Sequence, residues 1–438
     1  MRVSHNLFLL FHLFPIILRG ENIRPNVIVI YMDDLGTLDA HCYGAPDLFT
    51  PNIDYLASKG IRFNQFYAAP VSSVSRSCLL TGQFARRSGL WSNASNKGFT
   101  LGKETIAERM KSNGYRTGLI GKWHLGTDDG YRPNQRGFDY FWGFLNGCID
   151  NYSHFFYWAG PNKHDLWEDE TEIFKSGHFF LDESMLQINR FINDIDSDKP
   201  FFLYWAVNIP HYPLQPVEKW LDYYSNLPQP RRMYAAFVST FDEKLGELFN
   251  ILRMKGIIEN TIIILQSDNG HSMEIRTFGK GGYCGNFRGG KFSMFEGGIR
   301  VPAIISWPGH IPEGEEREQL AMNIDWFPTI LDLCGINNEN LNIDGKSLLE
   351  ILKNRDTPSQ HEVLHFDFDE QWAVRYKDWK LIYNALDVYP NDKTIKYDEY
   401  YLTNLKFDKS EKENLNRKYP DIVIKLKKIR DDYVNSIK

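Results

Sequence analysis

The sequence predicts an α/β fold: a mixed, mostly parallel sheet flanked by helices, with a smaller C-terminal α+β unit of antiparallel strands and one helix. Three observations predict it. Short apolar runs alternate with helix-period segments up to about residue 355, as when buried strands are joined by helical crossovers. Four of these runs end in polar, chemistry-bearing residues. Beyond residue 355 the runs shorten and alternate with polar turns, as antiparallel strands do.

The elements follow in order. At the N-terminus a basic residue precedes an apolar run, Leu7 to Leu18, broken by His12 and Pro15. The run is too short to span a bilayer and has the proportions of an export signal. Residues 1–20 are therefore expected to be a signal peptide, and the mature chain to be periplasmic or extracellular with no stable membrane span. The strand candidates are VIVIYM (27–32), YRTGLIG (115–121), FFLYWAV (201–207), TIIILQ (261–266) and VPAIIS (301–306). Between them, Tyr234 to Met254 repeats Phe237, Phe241, Leu245, Leu248 and Leu252 at steps of three and four, which predicts an amphipathic helix. The C-terminal strands are EVLHFDFDE, QWAVRY and WKLIYN. A last helix carries Ile422, Leu426, Ile429, Tyr433 and Ile437 on one stripe.

Composition excludes several classes of function. Hydrophobic residues make up 42% of 438 positions and aromatics 15%, which excludes a disordered chain. The formal charge is only -6, and no basic block is present, so nucleic acid is not an expected partner. The five cysteines, Cys42, Cys78, Cys148, Cys284 and Cys334, show neither C-x-x-C nor zinc spacing and advertise no disulfide framework.

The strand ends carry the chemistry. VIVIYM runs into Asp33-Asp34, and TIIILQ into Ser267-Asp268-Asn269-Gly270. YRTGLIG runs into Lys122-Trp123-His124, and FFLYWAV leads through Asn208 to His211. Ligands of open α/β sheets bind beyond the carboxyl ends of the strands. Asp33, Asp34, Asp268 and Asn269 form an all-oxygen set suited to a hard divalent cation such as calcium. In VSSVSRSCLLTG (71–82), one of Ser72, Ser73 and Ser75 could simply cap a helix. Ser72 could equally be a nucleophile and Arg76, four residues on, its anion clamp, and the two readings can hold together because a helix start also favours anions. Local chemistry leaves both open. His211, between two prolines, and Lys291, among glycines, complete the candidate set.

Taken together these segments resemble a type I sulfatase of the alkaline phosphatase-like superfamily. The family's first signature is Cys or Ser-x-Pro-x-Arg, then three residues and Leu-Thr-Gly; Ser72 to Arg76 and Leu80-Thr81-Gly82 match it, with Val74 at the proline position. The second signature matches Gly114 to Gly118 and Gly121 to Gly126. NVIVIYMDDLG, TPNIDYLASKG, PHYPL, SDNG, FEGGIRVP, DWFPTILDLCGI and DGKSLL extend the likeness over nearly the whole chain.

The resemblance implies residues 21–355 as the catalytic domain and 356–438 as a C-terminal subdomain. It implies that a formylglycine-maturing enzyme oxidises Ser72 to formylglycine, whose hydrate is the nucleophile. One Ca2+ would be held by Asp33, Asp34, Asp268, Asn269 and the group derived from Ser72. Arg76 and Lys122 would steady the hydrate. Lys291, His124 and His211 would face the sulfate, with His211 protonating the leaving oxygen and His124 acting as base. The substrate implied is a sulfated carbohydrate. Asp150, His154 and Arg276, together with His164 and Trp372, are candidate sugar contacts. Two alternatives stand beside this reading. One is a non-catalytic sulfoglycan-binding homologue with Ser72 left unmodified, for which Val74 is the argument. The other is a two-zinc phosphodiesterase of the same superfamily, which would need histidine where this chain has Asn269, although His271 lies two positions on.

Overall fold

The computed structural model describes residues 24–156, 162–195, 199–274, 280–339, 341–389 and 393–437. The expected signal peptide and Arg276 lie outside the described residues. In chain order the elements that build the site are β1 (Asn26–Met32), α1 (Pro51–Ser58), β2 (Gly60–Phe63), α2 (Ser72–Thr81), β3 (Arg116–Lys122), β4 (Tyr140–Phe144), α3 (Phe180–Asn193), β5 (Phe201–Ala206), α4 (Arg231–Met254), β6 (Thr261–Ser267), β7 (Ala303–Ser306) and α5 (Trp326–Leu333).

Ten strands form the main sheet, in the order Glu315–Arg317, β2, β7, β6, β1, β5, β3, β4, Trp167–Glu168, Thr171–Glu172. The run from β6 to β4 is parallel throughout. VPAIIS departs from the expected parallel arrangement: β7 is antiparallel to both β6 and β2. After β6 the chain crosses the carboxyl edge and re-enters the sheet from that side, so β7 runs back against its neighbour. GIRF of β2 and YFWGF of β4, too short to stand out as apolar runs, also belong to the sheet.

Strand side chains alternate between two covered faces. Ile28, Ile30, Leu203 and Trp205 pack with Phe237, Phe241, Leu245, Leu248 and Leu252 of α4, so the predicted stripe is the buried one. Val27, Val29, Leu119 and Phe202 face the opposite way, into a core shared with Trp326, Phe327 and Ile330 of α5.

The C-terminal part contains β8 (Val363–Phe368), β9 (Gln371–Tyr376), β10 (Trp379–Tyr383), β11 (Tyr400–Asn404) and α6 (Pro420–Ser436). The four strands form an antiparallel sheet. One face holds Val374, Leu381 and Leu402 against Leu426 of α6, with Ile422 and Ile429 partly buried beside them. The predicted α6 stripe is incomplete. Arg430 is buried instead and pairs with Asp367, while Tyr433 packs elsewhere, with Phe84 and His365. The other face of the sheet, through Leu364, Phe366, Ala373 and Ile382, covers Val71, Val74 and Cys78 on and beside α2. Thus the C-terminal sheet is the floor on which the serine-bearing helix rests. Gly82 ends that helix at φ +63, its amide bonded to the Cys78 carbonyl at 2.9 Å, a left-handed cap that glycine adopts without strain.

Candidate active site

Parallel neighbours release their loops side by side, and β6, β1, β5 and β3 do so at one sheet edge. The register continues past the strands. The Asp268 amide donates to the Met32 carbonyl at 2.9 Å, and the Asp34 amide donates to Asp268 Oδ1 at 3.1 Å. The two acidic turns therefore stand against each other.

Helix α2 points its first residue at them. Val71 is the N-cap and supplies no side-chain cap, while Ser75 Oγ is engaged with the Tyr31 hydroxyl at 2.7 Å. None of the three serines caps the helix, so the capping alternative falls. Instead, Ser72 Oγ donates to Asp33 Oδ1 at 2.9 Å and lies 3.3 Å from Asn269 Oδ1. Lys122 Nζ donates to Asp33 Oδ2 at 2.7 Å, and Lys291 Nζ to Asp34 Oδ2 at 2.9 Å. Asn269 Nδ2 donates to Asp34 Oδ1 at 2.6 Å. His211 Nε2 stands 3.8 Å from Asp34 Oδ2, while its Nδ1 is bonded to the Tyr212 carbonyl at 2.8 Å. Ligand atoms of Asp33, Asp34 and His211 all fall within 4.8 Å of one another.

Arg76 stands behind Ser72, 3.8 Å from the Asp33 oxygen that the serine binds. It is fully buried, its Nη2 is 2.9 Å from Asp268 Oδ2, and its Nη1 is 3.3 Å from the Tyr204 hydroxyl. One helical turn places it on the same side as Ser72, but behind the serine and outside the cavity lining. Its partner is the acidic turn. A cavity of about 710 Å³ opens in front, lined by Ser72, Lys122, His124, His211 and Lys291 at its base.

Three buried carboxylates, Asp33, Asp34 and Asp268, are each paired with a buried cation, Lys122, Lys291 and Arg76 respectively, yet they respond unequally. Burial pushes Asp33 up, but Lys122, His211, Arg76 and Lys291 together outweigh it and hold the carboxyl well below its usual range. Asp34 and Asp268 go the other way. Burial raises both, repulsion from Asp33 adds to it, and Asp268 reaches about 7. Buried oxygens that repel one another in this way fit a hard divalent cation at Asp33 and Asp34, with Asn269 Oδ1 beside them; the Asp268 oxygens are engaged by the Asp34 amide and Arg76. Burial, reinforced by Lys122 and Arg76 for His124 and by Lys291 for His211, holds both imidazoles well below the usual histidine value and so neutral.

Three of the ten non-glycine residues with positive φ among the described residues lie at this site. Asp34 (φ 66), His124 (φ 55) and Phe292 (φ 73), next to Lys291, all occupy the left-handed region. That conformation costs a non-glycine residue about 1 kcal/mol or more, and functional sites are where it persists.

Of the candidate sugar contacts, His164 lines the cavity. Asp150 is consumed locally, accepting from the Tyr152 and Ser153 amides and from Gln215 Nε2. His154 is fully buried. Trp372 stacks on Tyr383 in the C-terminal sheet. None of these three lines the cavity. The sequence pointed to the polar, aromatic loop from Asn146 to Glu172 as a source of specificity without singling out the lining residues within it, and Asn146, Gly147, Asp165 and Trp167 of that loop line the cavity. Arg132, which lines it too, lies outside that loop and was missed.

Gly147 has a specific task. A Cβ built there would sit 3.0 Å from both Cε1 and Nε2 of His124, so the ring lies directly on the glycine Cα. Gly147→Ala is expected to push His124 aside by a few tenths of an ångström and lower kcat about tenfold, with an unchanged melting curve. Steady-state kinetics with retained wild-type kcat would show that His124 tolerates displacement.

Comparison with known proteins places this geometry in context. The sulfatase family model matches residues 25–336. The model for the C-terminal region of N-sulphoglucosamine sulphohydrolase matches residues 285–434. Human N-acetylgalactosamine-6-sulfatase is 34% identical over 354 residues, covering 75% of this chain and 66% of the relative. Human arylsulfatase A is 32% identical over 363 residues, covering 75% and 68%. The chain thus spans just under two thirds of the first of these relatives. Among solved structures, Ps i-CgsB in complex with k-i-k-neocarrahexaose superposes with a TM-score of 0.82 at 28% identity, covering 94% of this chain and 93% of that one.

Proposed function

The chain belongs to the sulfatase family, and from that premise we propose that it hydrolyses sulfate esters of carbohydrates. The observation that carries the reading is Ser72, 2.9 Å from Asp33 at the base of a cavity whose other basal groups are two lysines and two histidines. An anion enters such a site readily, and relatives act on sulfated sugars by name.

Each residue has a task within this proposal. Lys122 and Lys291 bind the sulfuryl oxygens and offset the charge that grows on them as the ester bond breaks. His124, held neutral, accepts a proton from the nucleophilic group at position 72. His211 delivers a proton to the departing sugar oxygen. The bound sulfate supplies the negative charge beside Lys291 that restores the imidazole's affinity for that proton. Asp33, Asp34, Asp268 and Asn269 would hold one Ca2+, which supplies a Lewis acid beside the reacting oxygens. Oxidation of Ser72 by a maturing enzyme would supply a formylglycine hydrate, a stronger nucleophile than an alcohol. Export, as expected from residues 1–20, is part of the same proposal. No helix among the described residues is long and apolar enough to cross a membrane.

A panel of sulfated monosaccharides, glycosaminoglycan disaccharides and carrageenan oligomers tests the reading. Protein whose Ser72 peptide has lost two hydrogens should release sulfate from at least one of them. Chelation should abolish release, and added Ca2+ should restore it. Oxidised, calcium-loaded protein that releases sulfate from none would overturn the proposal.

A further inference from the structure

The cavity is larger than one sulfated ring requires, at about 710 Å³, within the range that buries drug-sized ligands. Its outer wall carries cations that the chemistry at Ser72 does not use. Arg132 is held rather than mobile: Nε donates to the Thr127 carbonyl at 3.0 Å, and the guanidinium lies over the Trp167 ring at 5.1 Å. Its two terminal nitrogens make no hydrogen bond or ion pair among the described residues, yet the residue faces the cavity.

The support beneath it is built. Asp165, almost fully buried, accepts from Trp167 Nε1 at 2.8 Å and also from the Leu145 and Asn146 amides, which fixes the indole beneath the guanidinium, and it makes no ion pair within 4 Å of Arg132. Lys163 extends from the same wall, exposed and with no ion pair among the described residues. His164, next in sequence, is fixed by Glu172 at 3.0 Å and by stacking on Phe174 at 4.2 Å. Asp128 stands on this wall too, but it is exposed and makes no ion pair within 4 Å of Arg132. The guanidinium is therefore not neutralised locally.

We propose that Arg132 and Lys163 form a second anion subsite, so that the substrate class is a glycan bearing a further negative group close to the sulfate that is removed. The proposal rests on reading the cavity as a sulfated-glycan site. A guanidinium preset on an indole meets carboxylate or sulfate with little loss of side-chain freedom. The ring bearing that group would lie along the Trp167 and His164 wall.

The test is binding, by calorimetry, to the full chain carrying Ser72→Ala, which cannot consume its ligand. The probes are three kinds of disaccharide: a galactan disaccharide with one sulfate, one with two, and a galactosaminoglycan disaccharide with one sulfate and one uronate. Both doubly charged kinds should bind at least tenfold tighter than the singly charged one if any anion serves. A preference confined to one kind identifies sulfate or carboxylate as the group read. Arg132→Gln with Lys163→Gln should shrink the preference to about twofold. Lys163→Gln alone, at an exposed position that folding does not need, should shrink it about threefold. Equal affinities in the parent chain, a preference that survives the double substitution, or no binding to any probe overturns the proposal. Sulfate release by oxidised enzyme is a separate readout. Turnover without charge preference defeats only the subsite, and charge preference without turnover defeats only the hydrolase reading.

Discussion

Ser72→Ala is expected to lower sulfate release by roughly 10⁴-fold or more, the scale on which nucleophile deletions act. The same change should hardly touch stability. Ser72 is 1% exposed, so no new surface is created. The Asp33 carboxylate keeps its bond to Lys122 at 2.7 Å after the hydroxyl is gone, leaving a net cost of about 1 kcal/mol. The neighbouring Ser73 and Ser75 cannot substitute. Ser75 is bound to Tyr31, and Ser73 Oγ accepts from the Ala94 amide at 2.9 Å. Sulfate release by the variant within a few-fold of wild type, with a superimposable melting curve, would remove Ser72 from the chemistry. Loss of release together with a lowered Tm would instead assign the serine to the fold.

That the meeting of the strand-end residues could be read before any coordinates has a physical reason. Parallel strands put their carboxyl ends on one edge, so polar residues directly after VIVIYM and TIIILQ had to meet, and Asp33, Asp34, Asp268 and Asn269 do. The α4 stripe was legible because helical period and burial are the same signal. The depth of Arg76 was not legible, because the spacing of four gives its side of the helix only; the Tyr31, Tyr204 and Asp268 packing turns it inward. Gly147 and Arg132 lie in loops where no period operates. Their partners, His124 and Trp167, are 23 and 35 residues away, and only folding brings them together. The α6 stripe failed at Arg430 because a charged residue can be buried once Asp367 meets it. That compensation depends on a residue 63 positions earlier in the chain.

The second large effect is expected far from the cavity, at Lys380. This lysine is fully buried, 2.8 Å from Glu296 and 2.7 Å from Glu411, and its ammonium also donates to the Met294 carbonyl at 3.1 Å. Lys380→Met retains most of the side-chain volume but strands two carboxylates together. Removing one partner of a buried ion pair costs about 3–5 kcal/mol. The pH dependence separates charge from packing. In the wild type, burial raises Glu411 to about 7, Lys380 opposing and Glu296 adding to the rise. Burial also pushes Glu296 up, but Lys380, Arg375 and Arg300 outweigh it and hold that carboxyl near 2. Without Lys380, Glu411 loses the cation that opposes its rise and moves further above its unfolded value near 4.5, while Glu296 moves up but keeps Arg375 and Arg300. Folding then favours the protonated form of Glu411, so the variant's deficit is full at pH 8 and shrinks as pH falls towards 4.5. Glu411→Gln added to Lys380→Met should recover part of the loss at pH 8. Met294 lies three residues beyond Lys291, so sulfate release should fall along with stability. A deficit in urea unfolding that is the same at pH 5 and pH 8 would mean that Lys380 acts through its methylenes, and that the acidic pair needs no counter-charge to hold the C-terminal sheet against the loop that carries Lys291.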